Sequence, residues 1–254
     1  MTFFKTISLA GVLALTTTAA SASSWTISDS IGIVPGGGFE RVVLENTLGL
    51  SPGAGTNDDG TAATAFSVEA ESSGDPSITE SFLAWCLDFT TSFFGGDRIW
   101  EQSATLNTAT LPSGSVASGA QDRIQSLFDS TFDTAQTIEA QLGTGPDGRL
   151  ESAAFQLALW EVVFDDDWSV TDPDGTFWAS DDTAGGAVIT RADALLSEAS
   201  TYSGGKGWNL SFYSSENRQD VITASPIPLP AAGWLLLAGI GALGALARRR
   251  KATA

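Results

Sequence analysis

The chain has 254 residues and no histidine, one cysteine, one methionine and two tyrosines. Without histidine there is no Ser-His-Asp triad, no Cys-His dyad and no imidazole-held metal. With Cys86 alone there is no internal disulfide. Positive charge is scarce as well: 12 Lys and Arg stand against 30 Asp and Glu. Between residues 23 and 225 the only bases are Arg41, Arg98, Arg123, Arg149, Arg191, Lys206 and Arg218, while every acidic residue lies there. So acidic a surface repels phosphate backbones, which excludes a nucleic-acid partner. Long apolar runs are missing from the middle and occur at the two ends.

Lys5 is the only charge before Asp29. The apolar stretch from Ile7 to Leu15 follows it, and Ala20-Ser21-Ala22 supplies a small-x-small cleavage site. These three parts predict a cleaved signal peptide over residues 1–22. Its apolar core is too short to span a bilayer, which takes roughly 20 residues. Near the other end, residues 231–247 carry no charge, and Arg248, Arg249, Arg250 and Lys251 follow at once. A helix over 231–247 would be about 25 Å long, enough for a thin hydrocarbon core. Basic flanks stay cytoplasmic, so the expected topology is one transmembrane helix in the inner membrane, a basic tail at 248–254, and everything before it outside.

The residues that precede this span, Ser225-Pro226-Ile227-Pro228-Leu229-Pro230-Ala231, together with the span and the basic tail, resemble the VPLPA-CTERM sorting signal, a relative of the PEP-CTERM signals of Gram-negative bacteria. Ile227 stands where that signal has Val. The resemblance covers about 30 residues and implies an exosortase-type membrane protease as a partner, cutting near Pro228-Leu229-Pro230-Ala231. The implied destination is the cell surface or the medium.

Residues 23–215 then form the extracytoplasmic domain, with 216–230 as a polar linker carrying the sorting motif. Seven of the eight tryptophans lie in the domain, so it can bury a core. Short runs rich in Val, Ile, Phe and Thr at 24–28, 39–45 and 65–71 predict strands separated by Gly- and Pro-rich turns. Residues 78–89 predict another, with Phe82, Ala84, Cys86 and Asp88 on one face and Leu83, Trp85, Leu87 and Phe89 on the other. Helices are expected over 121–142 with a break near Ser130, over 151–164 after a turn at Pro146-Asp147-Gly148, and over 187–199. A last strand is expected at 207–213. The predicted fold is α+β, a mainly antiparallel β domain packed with about three helices.

The strand around the cysteine reads Trp85-Cys86-Leu87, and the main helix reads Phe155-Gln156-Leu157-Ala158-Leu159-Trp160. In this order, and about 70 residues apart, the two motifs resemble the thioester domains of bacterial surface adhesins. That resemblance implies an internal bond between Cys86 and Gln156. Trp85, Phe155 and Trp160 would be the dry wall. A surface amine or hydroxyl would be the ligand captured, and capture would be single-use, so no enzyme and no cofactor is expected. Asp88 and Glu161 are proton-transfer candidates through closeness in sequence alone. The competing reading makes Cys86 an inert, small buried residue of a passive envelope or matrix protein. A glycan hydrolase ranks last, since no carboxylate pair stands out. The acidic clusters Asn57-Asp58-Asp59-Gly60 and Asp165–Asp167 with Asp172-Pro173-Asp174-Gly175 lack the spacing of a twelve-residue calcium loop and are read as solvated turns, so no metal is expected.

Overall fold

The computed structural model describes residues 23–27, 32–33, 37–51, 60–93, 99–112 and 114–228. The expected leader at 1–22, Asn57-Asp58-Asp59 of the first acidic cluster, the sorting motif from Leu229 onward, the apolar span 231–247 and the basic tail Arg248–Lys251 lie outside the described residues. Among the described residues no helix is long and apolar enough to cross a membrane.

The strands are β1 (Ser23–Ile27), β2 (Gly32–Ile33), β3 (Glu40–Asn46), β4 (Thr61–Ala63), β5 (Phe66–Ser72), β6 (Asp75–Cys86), β7 (Ile99–Ser103), β8 (Phe177–Asp182), β9 (Trp208–Ser214) and β10 (Val221–Pro226). The helices are α1 (Ala120–Thr131), α2 (Ile138–Leu142), α3 (Gly145–Phe164) and α4 (Ala187–Ser200). Six strands run in the order β1–β7–β9–β10–β6–β5, and β5 returns to pair with β1. The sheet therefore closes into a barrel, with β2 paired to β5. Closure hides backbone edges that would otherwise invite pairing with other chains. A separate three-stranded sheet, β4–β3–β8, stands beside the helices.

Two apolar cores result, and β6 with the residues that follow it feeds both. The strand expected at 78–89 runs instead from Asp75 to Cys86, but Leu83 and Trp85 of β6, and Leu87 and Phe89 just beyond it, enter the larger core, between the barrel wall, the helices and the small sheet. Ala84 enters the barrel interior, with Trp25, Ile27, Phe66, Val68, Trp100, Tyr213 and Val221, and Phe82 packs against that cluster. This is the alternation expected of the sequence. Cys86, at the end of β6, touches both cores.

Helix α3 is central and buried on every side from Ser152 to Phe164. The single apolar stripe of Leu157, Trp160, Val163 and Phe164 is thus only part of its buried surface. Pro146-Asp147-Gly148 is not a turn before the helix but its first turn, where the missing N–H of a proline costs nothing. The expected long helix at 121–142 is split into α1 and α2 around residues 132–137, as the irregular period suggested.

The largest departure lies at 216–226. That segment was expected as a linker, yet β10 is inside the barrel, paired with β9 over six residues and with β6 at Cys86 and Trp85. Val221 and Ile222 are fully buried. The polar run Ser214–Asp220 is a tight connection between two strands, not a tether.

Candidate functional site

Three polar side chains interrupt the buried part of α3: Ser152, Gln156 and Glu161. A buried polar group destabilises unless it finds a hydrogen-bond partner. Ser152 Oγ accepts the backbone N–H of Ala65 at 2.5 Å, just before β5. Gln156, one helical turn on, meets Cys86. The Cys86 N–H donates to Gln156 Oε1 at 2.8 Å, and Gln156 Nε2 donates to the Cys86 carbonyl at 2.7 Å.

The strand ladder explains why Cys86 has these groups to offer. Pairing between β5 and β6 ends at Phe66 opposite Ala84. On the other side of β6 the ladder continues, with Val221 opposite Cys86 and Leu87 N–H donating to the Asp220 carbonyl at 2.8 Å. The Cys86 amide and carbonyl therefore face the side that β5 has vacated. Gln156, 1% exposed, fills that place as a strand residue would.

The two residues that the sequence singled out are thus in direct contact across 70 positions of chain. Of the expected wall, Trp85 and Phe155 pack together at 4.8 Å between ring centroids, with Phe128 against both. Trp85 points away from the cysteine side of β6, so it covers the helix face and not the thiol. Trp160 belongs to a second aromatic group and meets Phe89 edge-on at 5.8 Å.

Cys86 is a free thiol that keeps some exposed surface. Burial nonetheless pushes its pKa well above the usual thiol value, and the nearby charge of Asp88 adds to this. It is a protonated thiol at neutral pH, which needs a proton acceptor before it can act as a nucleophile. Asp88, one of the two acids proposed from sequence, is in place. Its Oδ1 accepts from Thr90 N–H, Thr91 N–H and the Thr90 hydroxyl at 2.9, 2.9 and 3.1 Å. Desolvation raises its pKa, and those hydrogen bonds hold the rise back. Glu161, the other acid, lies with Asp165 and Asp167.

The sequence reading missed Asp220. It immediately precedes Val221, the strand partner of Cys86, and is 1% exposed. It accepts from the Thr110 hydroxyl and, at 2.8 Å, from Ser215 N–H. Burial lifts its pKa to about 7, and the charge of Asp88 contributes. The available signal was an Asp set directly against the apolar pair Val221-Ile222, which places a carboxyl at the mouth of a strand.

One family description matches the chain, the PEP-CTERM protein-sorting motif, over residues 226–251. No curated protein matches. Among solved structures, the N-terminal domain of the Streptococcus pyogenes pilus tip adhesin Cpa is similar at 11% identity, over 85% of this chain and all of that one, with a TM-score of 0.39. A likeness that loose transfers neither fold nor function. The sorting motif begins at Pro226, the last residue of β10. The chain carries a PEP-CTERM sorting motif and is an exported surface protein.

Proposed function

We propose that the barrel domain is a single-use covalent adhesin, displayed at the cell surface and joined to its partner through a thioester between Cys86 and Gln156. The two-point contact between the Gln156 amide and the Cys86 backbone carries this reading. The Cys86 N–H already holds the oxygen that would become negative if the sulfur attacked the Gln156 carbonyl, and such a preset donor favours that step. The Cys86 sulfur bonds to Gln156 Cδ, the C–N bond breaks, and the thiol proton leaves with the amide nitrogen as ammonia. Asp88 and Asp220 are the nearby carboxyls suited to carry that proton. A partner amine or hydroxyl then displaces the sulfur. It becomes joined through Gln156 and returns the thiol to Cys86. Fixed geometry can contribute about 7–11 kcal/mol toward such a step, so no histidine is needed.

In this reading the 1–22 leader is removed. The span 231–247 holds the chain in the inner membrane with Arg248–Lys251 in the cytoplasm. An exosortase-type protease then cuts near Pro228-Leu229-Pro230-Ala231. The resemblance of the Trp85-Cys86-Leu87 and Phe155-Gln156-Leu157 motifs to adhesin thioester domains supports the chemistry.

The same two hydrogen bonds favour one other reading. Gln156 completes the open edge of β6 whether or not it reacts, which leaves an inert thiol in a passive envelope or matrix protein. Intact mass decides. The thioester form weighs one ammonia less than its observed termini require, and its thiol resists alkylation until methylamine opens the bond. Cys86→Ala and Gln156→Ala restore the full mass. A full-mass wild type with a freely alkylated thiol sinks the covalent reading.

A further inference from the structure

The third polar residue of α3 has no donor of its own. Glu161 is 0% exposed, its carboxylate makes no well-formed hydrogen bond, and the polar groups against it are the Asp167 carboxyl and the Ser169 N–H, which bonds Asp167 at 2.8 Å. It is aimed at two more carboxylates: one oxygen each from Glu161, Asp165 and Asp167 lie within 4.8 Å of one another. The solvated turn expected at Asp165–Asp167 is therefore half sunk into the protein, with Asp165 5% exposed.

We propose that Glu161, Asp165 and Asp167 bind a calcium ion at the C-terminal end of α3. Two observations point to a cation. The first is the buried Glu161 carboxylate, which has no donor of its own. Second, the acids gather at the negative end of a 20-residue helix, where the aligned peptide dipoles repel them and attract a cation. Gly175 lets the loop close on the acids: a Cβ there would lie 2.6 Å from Asp167 Oδ2 and 2.7 Å from Asp165 Oδ2, so no side chain fits. Arg123 feels the charge of Asp166 first, then of Glu161 and Asp165, but its hydrogen bonds go to Val162 and Ser118 carbonyls and it forms no ion pair with these acids among the described residues. In the ion-free chain burial first, then the charges of Asp167 and Asp165, push the Glu161 pKa up to about 10, so a neighbouring positive charge relieves a real cost.

Oxygens that all lie within 4.8 Å of one another leave a central ion at most about 2.8 Å from each, a spacing that admits the 2.3–2.6 Å of calcium ligation with little movement. Calcium is favoured over magnesium because it accepts irregular cages of several carboxylate oxygens, whereas magnesium demands near-ideal octahedral geometry and keeps most of its waters. The backbone already fixes the loop for this. Asp165 Oδ2 accepts from Thr176 N–H and, at 2.9 Å, from Phe177 N–H, and Asp167 Oδ1 accepts from Ser169 N–H at 2.8 Å. Asp167 is exposed, giving the ion an entry path and room for water ligands.

The test is thermal unfolding of the full chain in detergent, in EDTA and across a calcium series at constant ionic strength, beside terbium luminescence excited through tryptophan. Wild type should show a saturable rise in midpoint of roughly 5 °C and a saturable terbium signal that calcium displaces. Glu161→Gln and Asp167→Asn should abolish both. Glu161→Gln also reports on folding, because its amide can donate to Asp165 or Asp167 and should raise the midpoint in EDTA. An unchanged wild-type midpoint across the calcium series overturns the proposal. So does a calcium shift that persists in both variants, since the ion would then be binding elsewhere on the acidic surface.

Discussion

A carboxyl set between two strands costs free energy when it ionises, and Asp220 meets that cost near neutral pH. Its folded pKa of about 7 lies above the ordinary 3.8, through burial first and the charge of Asp88 after it. Between those two pH values the folded protein binds more protons than the unfolded chain, so stability falls as pH rises. The contribution of the neutral acid is complete below the unfolded pKa and is gone once the pH has passed the folded one. The whole difference amounts to at most ~4 kcal/mol. Asp220→Asn keeps an acceptor for Ser215 N–H and cannot ionise. Denaturant unfolding from pH 4 to pH 8 should therefore lose less stability in the variant than in wild type, with the gap growing through pH 7. Parallel curves would mean that Asp220 titrates like a surface acid and has no special part beside Cys86.

At the level of elements, β10 decides where the domain ends. It lies between β9 and β6, carries the partner of Cys86, and places Val221 in one core and Ile222 in the other. A chain ending at residue 215 loses a barrel stave, opens two strand edges and should be unfolded by circular dichroism and amide exchange. A chain ending at residue 228 keeps every described element and should unfold cooperatively. If the shorter chain folds as well, β10 is an accessory and the linker expected from sequence was the better description. The comparison also shows what composition can and cannot reveal. β6 was legible because Leu83 and Trp85 alternate strictly with Phe82, Ala84 and Cys86; the same alternation in Leu87 and Phe89 carried the expected strand three residues past its actual end. The Cys86–Gln156 contact was legible through two short motifs and a unique cysteine. β10 was hidden because only Val221 and Ile222 of its six residues are apolar and buried, and a polar run leads into it. Glu161 was hidden for a different reason. A helix buried all round has no polar face to mark the inner side, so nothing in its period tells a solvated acid from a trapped one. The Asp165–Asp167 run masked the trapped one further, since acidic runs after a helix are commonly solvated.

For the whole molecule the governing quantity is charge: 30 acids against 12 bases, four of the bases lying in the run Arg248–Lys251. Two ion pairs among the described residues lie at the surface. Arg149 meets Glu40 at 3.3 Å and Arg191 meets Glu151 at 2.9 Å, and all four side chains keep contact with water, where such pairs are worth at most ~1 kcal/mol. What remains is diffuse repulsion that the compact barrel feels more than the expanded chain does. Simple salt should relieve it. Raising monovalent salt from 10 to 500 mM shortens the screening length from roughly 30 Å to a few ångströms. The unfolding midpoint of wild type should then rise by a few degrees, equally for sodium and potassium, and Asp167→Asn should rise by nearly as much. Calcium should act on top of this at 500 mM salt, because three converging carboxylates bind an ion that screening alone does not replace. A calcium effect that vanishes at high monovalent salt would reduce the ion to one more counterion on an acidic surface, and would leave the buried Glu161 carboxylate to be explained by a proton.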